Sequence, residues 1–151
     1  MGYTMTRLDA ERGSSAQARE APPRKIVLSF EDDLANAELL EQLLARRGDV
    51  RLLAARTGAD GIALALLQRP DVILMDINLP DMTGLEALKR MRAQPSIARI
   101  PVIALSSNAY PRQIDDGLRA GFFLYLTKPY KLPELMKSID SALTQSMKNR
   151  V

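Results

Sequence analysis

Short apolar runs alternate along this chain with longer stretches in which apolar residues recur every three or four positions. The runs cover residues 26–30, 50–54, 72–75, 100–105 and 122–126. Each is too short for a helix, and the run from Val72 to Met75 lies between Pro70 and Pro80. Near-continuous apolarity over so short a span predicts strands covered by helices on both faces. The intervening stretches predict helices over residues 34–47, 58–69, 85–93, 111–120 and 132–147. Spacing assigns inward faces to Leu39, Leu40, Leu43 and Leu44 in the first helix and to Ile62, Ala65 and Leu66 in the second. The third is expected to bury Leu85, Leu88 and Met91, and the last Leu135, Ile139 and Leu143. Five strands alternating with five helices predict an α/β fold, a doubly wound parallel sheet with right-handed crossovers.

The residues that end each run carry the chemistry. The first strand stops at Glu31 and Asp32, the third at Asp76, the fourth at Ser106 and the fifth just before Lys128. In a parallel sheet these ends share the carboxyl edge, where open α/β folds bind ligands. Three carboxylates crowded together raise one another's pKa unless a cation neutralises them. Mg2+ suits such a set, because it accepts one or two carboxylates, keeps waters and completes its shell with phosphate oxygens. A lysine and a hydroxyl are the complement for a phosphoryl group. Asp76 is then the candidate nucleophile, since an aspartate can form an acyl phosphate and needs no base to activate it. Asp33 and Asn36 read instead as helix-cap or surface residues.

Composition narrows the classes. The chain has 151 residues, enough for one domain with a full core. It has no cysteine, which excludes disulfides and thiolate metal sites and fits a cytoplasmic location. It also has no histidine, so any imidazole chemistry has to come from another molecule. No apolar stretch is long enough to span a membrane, and no signal peptide is apparent. The pI of about 9.4 reflects the ends of the chain: residues 26–146 carry 14 basic and 15 acidic side chains. A near-neutral body offers no nucleic-acid footprint. Residues 1–24 are polar, close on Ala21-Pro22-Pro23 and read as a disordered leader.

From about Lys25 to Met147 the chain resembles the receiver domain of two-component response regulators. The resemblance rests on Glu31-Asp32, on Asp76-Ile77-Asn78-Leu79-Pro80 with Gly84, on Ser106, and on Lys128-Pro129. It implies a flavodoxin-like sheet of order 2-1-3-4-5 over residues 25–147, with 148–151 as a tail. It implies Asp76 as phosphoacceptor, and Glu31, Asp32, Asp76 and the backbone carbonyl of Asn78 around Mg2+. Ser106 and Tyr125 take the place of the family's switch residues, Lys128 that of its counter-charge, and the peptide before Pro129 is expected to be cis. The implied donor is a histidine kinase or histidine phosphotransfer protein. The implied output is a protein target on the face of the fourth helix, fifth strand and fifth helix, with homodimerisation on phosphorylation and no nucleic-acid or membrane partner.

A receiver of this kind is a signalling module that assists only its own phosphotransfer and dephosphorylation. Few residues follow Pro129, so a stand-alone regulator or the terminal receiver of a hybrid kinase is expected. Some positions depart from the family's habit. Glu31 replaces the more frequent aspartate, Ser107 stands where Ala or Gly is usual, and Thr83 takes a place often held by Asp. Asn78 and Asn108 occupy the positions that tune acyl-phosphate lifetime. The alternatives are a phosphorylation-independent pseudo-receiver, which the intact Asp76, Asp32 and Lys128 oppose, and a phosphatase of the haloacid-dehalogenase type. The latter requires a second aspartate where this chain has Asn78.

Overall fold

Buried strands set the architecture. In the computed structural model, which describes residues 24–108 and 110–150, β3 (Val72–Asp76) and β4 (Val102–Ser106) are buried at every position. With β1 (Lys25–Phe30), β2 (Val50–Ala55) and β5 (Leu124–Thr127) they form one parallel sheet of order β2-β1-β3-β4-β5. The helices are α1 (Leu34–Leu44), α2 (Gly58–Gln68), α3 (Gly84–Arg92), α4 (Pro111–Ala120) and α5 (Leu132–Asn149). The leader expected over residues 1–24 lies, apart from Arg24, outside the described residues.

Successive strand residues point to opposite faces, so the sheet builds two cores. One joins Leu28, Phe30, Ile73, Met75 and Ala104 to Ala65, Leu88 and Met91 of α2 and α3. The other joins Val27, Val72, Leu74, Ile103 and Leu105 to Leu40 and Leu44 of α1 and to Leu135, Ile139 and Leu143 of α5. Helix α4 is different, for Gly117 is its one buried residue among those described.

The structure corrects three of the expected inward faces. Leu39, Leu66 and Leu85 are 43%, 37% and 38% exposed. In α2 the buried positions are Gly58, Gly61 and Ala65, a stripe of small residues. A Cβ on Gly61 would lie 2.2 Å from the ring of Phe30, so the helix comes down onto the sheet where its side chains are smallest. Helix α3 likewise buries Gly84 and Ala87 with Leu88 and Met91. Bounds also shift: α1 ends at Leu44, and residues 100–101 and 122–123 precede their strands.

Candidate functional site

Every strand ends at the same edge of the sheet, and each following helix begins there. That edge is dressed by side chains that pair with helix N-terminal amides. Asp33 accepts from Asn36 N at 3.0 Å and caps α1. Thr57 caps α2, and Thr83, to which the sequence attached no weight, caps α3 through Glu86 N at 3.1 Å. Asp81 accepts from Gly58 N and Ala59 N at 2.7 and 2.9 Å, which holds its carboxyl below the usual range.

Among these capped ends, Glu31, Asp32 and Asp76 bring one carboxylate oxygen each to within 4.8 Å of one another. Glu31 and Asp76 are 2% and 7% exposed, and Asp32 is the most open of the three. Lys128 reaches across from the end of β5, its Nζ donating to Asp76 Oδ2 at 2.8 Å and to Glu31 Oε1 at 2.9 Å. The other oxygen of Asp76 accepts from Asn78 N at 2.8 Å, and the Lys128–Pro129 peptide is cis. Burial raises the Glu31 carboxyl; Lys128 pulls it back and the Asp76 charge pushes it up again. Burial pulls the Lys128 ammonium down, but its hydrogen bonds to Asp76 and Glu31 outweigh that and leave it raised. Three carboxylates against one ammonium leave a formal charge of −2, the charge that one divalent cation neutralises.

Close backbone packing fixes the acidic strand end. A Cβ on Gly84 would sit 2.8 Å from the Asp76 carbonyl oxygen, and Gly84 N donates to Ile77 O at 2.7 Å. Ser106, 2% exposed, ends β4, and its hydroxyl accepts from Asn108 N at 3.0 Å. Tyr125 is half-buried on β5 with its ring against Gly117 of α4. A cavity of about 270 Å³ lies between these two, lined also by Ile77, Leu85 and Gln113. On the other side, a cleft of about 360 Å³ lined by Asp32, Arg56, Thr57 and Pro80 opens beside the carboxylates.

The structure thus brings Glu31, Asp32, Asp76 and Lys128 into one cluster and sets Ser106 and Tyr125 around an adjoining cavity. The sequence reading missed Tyr130. Its hydroxyl is buried with no hydrogen-bond partner among the described residues, and burial pushes it up to about 12 while Lys128 pulls the other way. A tyrosine after Lys-Pro carries no pattern that signals this.

Comparison with known proteins agrees with this fold. The family model described as the response regulator receiver domain matches residues 27–140. The polar-differentiation response regulator DivK of Brucella anthropi is 34% identical over 119 residues, covering 79% of this chain and 96% of that protein. The chemotaxis response regulator CheY4 of Vibrio cholerae superposes with a TM-score of 0.74 at 28% identity, over 80% of this chain and 99% of its own. The receiver domain of the sensor histidine kinase PA1611 from Pseudomonas aeruginosa, a structure with a magnesium ion coordinated in its active-site cleft, gives 0.74 at 34% identity over 80% and 98%. No helix among the described residues is long and apolar enough to cross a membrane.

Proposed function

Because the chain belongs to the response regulator receiver domains, signalling modules that work with histidine kinases and downstream targets, we propose that Asp76 accepts a phosphoryl group from a partner's phosphohistidine. One observation carries this reading: a buried carboxylate at a strand end, held by Lys128 within a cluster whose charge is −2. The donor set is hard oxygen with a two-charge excess, which fits Mg2+ held by Glu31, Asp32, Asp76 and the Asn78 carbonyl. When bound, the ion offsets charge on the transferring phosphoryl oxygens. A carboxylate oxygen of Asp76 attacks phosphorus, and the P–N bond to the donor imidazole breaks with its electron pair staying on nitrogen. The new P–O bond makes the acyl phosphate. Lys128 stays beside it as a fixed positive charge, and the cleft beside Asp32 gives the donor its approach.

The phosphoryl group adds about −1.5 to −2 charge at this point. Charge-assisted hydrogen bonds contribute roughly 1.5–3 kcal/mol each, and reversing a 1:99 population takes about 5.5 kcal/mol. Lys128 already bonds Asp76, so the difference has to come from two or three new bonds, from the Ser106 hydroxyl and loop amides, which together reach what a two-state loop needs. The cavity between Ser106 and Tyr125 gives that loop room, and α4, with so little buried, resists movement least. The α4–β5–α5 face is then what a partner or a second copy reads. Tyr125→Ala is expected to uncouple partner binding from phosphorylation; a wild-type response in that variant contradicts the coupling.

Intact-protein mass after acetyl phosphate and Mg2+ tests the phosphoacceptor reading. A gain of one HPO3 that requires the metal supports it. No gain, with no response to beryllofluoride, favours a module that binds partners without phosphorylation.

A further inference from the structure

The opposite edge of the sheet holds a second cavity, about 420 Å³, between the C-terminal ends of α2 and α5 and the connection from α3 to β4. Three arginines line it, Arg69, Arg99 and Arg150, and among the described residues no carboxylate side chain does. Ser96, Ser146 and Asn149 supply neutral polar groups, with Ser146 only 6% exposed. Its walls are tied in place: Asn149 Nδ2 donates to the Arg99 carbonyl at 2.8 Å, and Arg150 pairs with Asp71 at 2.8 Å. Among the described residues, the guanidinium groups of Arg69 and Arg99 form no ion pair.

Arg69 adds a second observation. It closes α2 in the left-handed conformation, φ 47 and ψ 65, a position that glycine fills at no steric cost. An arginine there is strained, and strain of this kind collects where a side chain is needed. We propose that this cavity binds a small polyanion of the phosphate-ester class, with Arg69 and Arg99 as charge-assisted donors and Ser146 as a neutral contact. Its volume lies within the range of about 300–1,000 Å³ usual for small-ligand sites. The site is independent of Asp76 and of the phosphoacceptor reading.

Backbone amide NMR of the full chain, without Mg2+, titrated with inorganic pyrophosphate and then AMP, tests it. Saturable shifts are expected over residues 96–100 and 146–150, unchanged in Asp76→Asn. Arg99→Gln and Arg69→Gly are each expected to weaken binding about tenfold, the loss of one charge-assisted bond. Arg69→Gly also relaxes the left-handed backbone, so its Tm should hold or rise, which separates lost binding from lost folding. Shifts that never saturate, or that survive both substitutions, would overturn the site and leave the arginines as charges facing helix C-termini.

Discussion

Strand β3 has a buried aspartate at each end, and the two do opposite things. At the amino end, Asp71 is 8% exposed; its Oδ2 accepts from Ile26 N at 2.8 Å and its Oδ1 from Arg150 at 2.8 Å. One carboxylate meets one guanidinium and one amide, and the charge closes. At the carboxyl end, Asp76 is buried to the same degree, yet it shares one lysine with Glu31 and has Asp32 beside it. Burial of an aspartate therefore does not distinguish structure from function here. The charge balance around it does: the balanced end staples β1 to β3, and the unbalanced end retains capacity for a cation and a phosphoryl group.

Substitution at the two ends should split along this line. Asp76→Asn is expected to abolish the acetyl-phosphate adduct completely, while Asp71→Asn retains it, both read by intact mass. An adduct that persists in Asp76→Asn breaks the comparison. Stability should run the other way. Asp71→Ala leaves the Ile26 amide and Arg150 without their acceptor and is expected to cost about 2–3 kcal/mol in urea unfolding. Asp76→Asn leaves Glu31 to hold Lys128 and should shift stability by less than about 1 kcal/mol.

The unbalanced end should also betray itself through pH. Glu31 is raised above its usual 4.5, so the folded state holds its proton more tightly than the unfolded chain does. That contribution is full below 4.5 and is lost as pH rises through the folded value. Without divalent cation, Lys128→Gln should steepen this loss, and Mg2+ should reverse it by binding only the folded state. A pH profile of Tm unchanged by Lys128→Gln would show that the lysine does not offset the cluster. The smallest effect belongs to Tyr130. Removing its hydroxyl, buried and without a partner among the described residues, in Tyr130→Phe should stabilise the fold by about 1 kcal/mol and flatten the fall in stability between about pH 10 and 12.

The carboxyl end was legible in the sequence because a buried strand that stops on a charged residue is a local signal. Parallel topology alone then gathers Glu31, Asp32, Asp76, Ser106 and Lys128 at one edge. The amino end was not legible. Asp71 looks like a turn residue after Pro70, and its partners Ile26 and Arg150 are distant in the chain. Helix faces were misjudged where size was taken for burial: Leu66 is large and exposed, whereas Gly61 is small and sits on Phe30. Periodicity marks a stripe, but the closeness of helix to sheet decides which stripe fits.

The most direct test locates the phosphoryl group. The wild-type chain is phosphorylated with acetyl phosphate and Mg2+, reduced with borohydride so that an acyl phosphate on aspartate becomes homoserine, digested and sequenced by mass. The account predicts homoserine at position 76 alone, and none when Mg2+ is withheld. Homoserine at 32 or 71, or label at 76 that forms equally well without the metal, would contradict it.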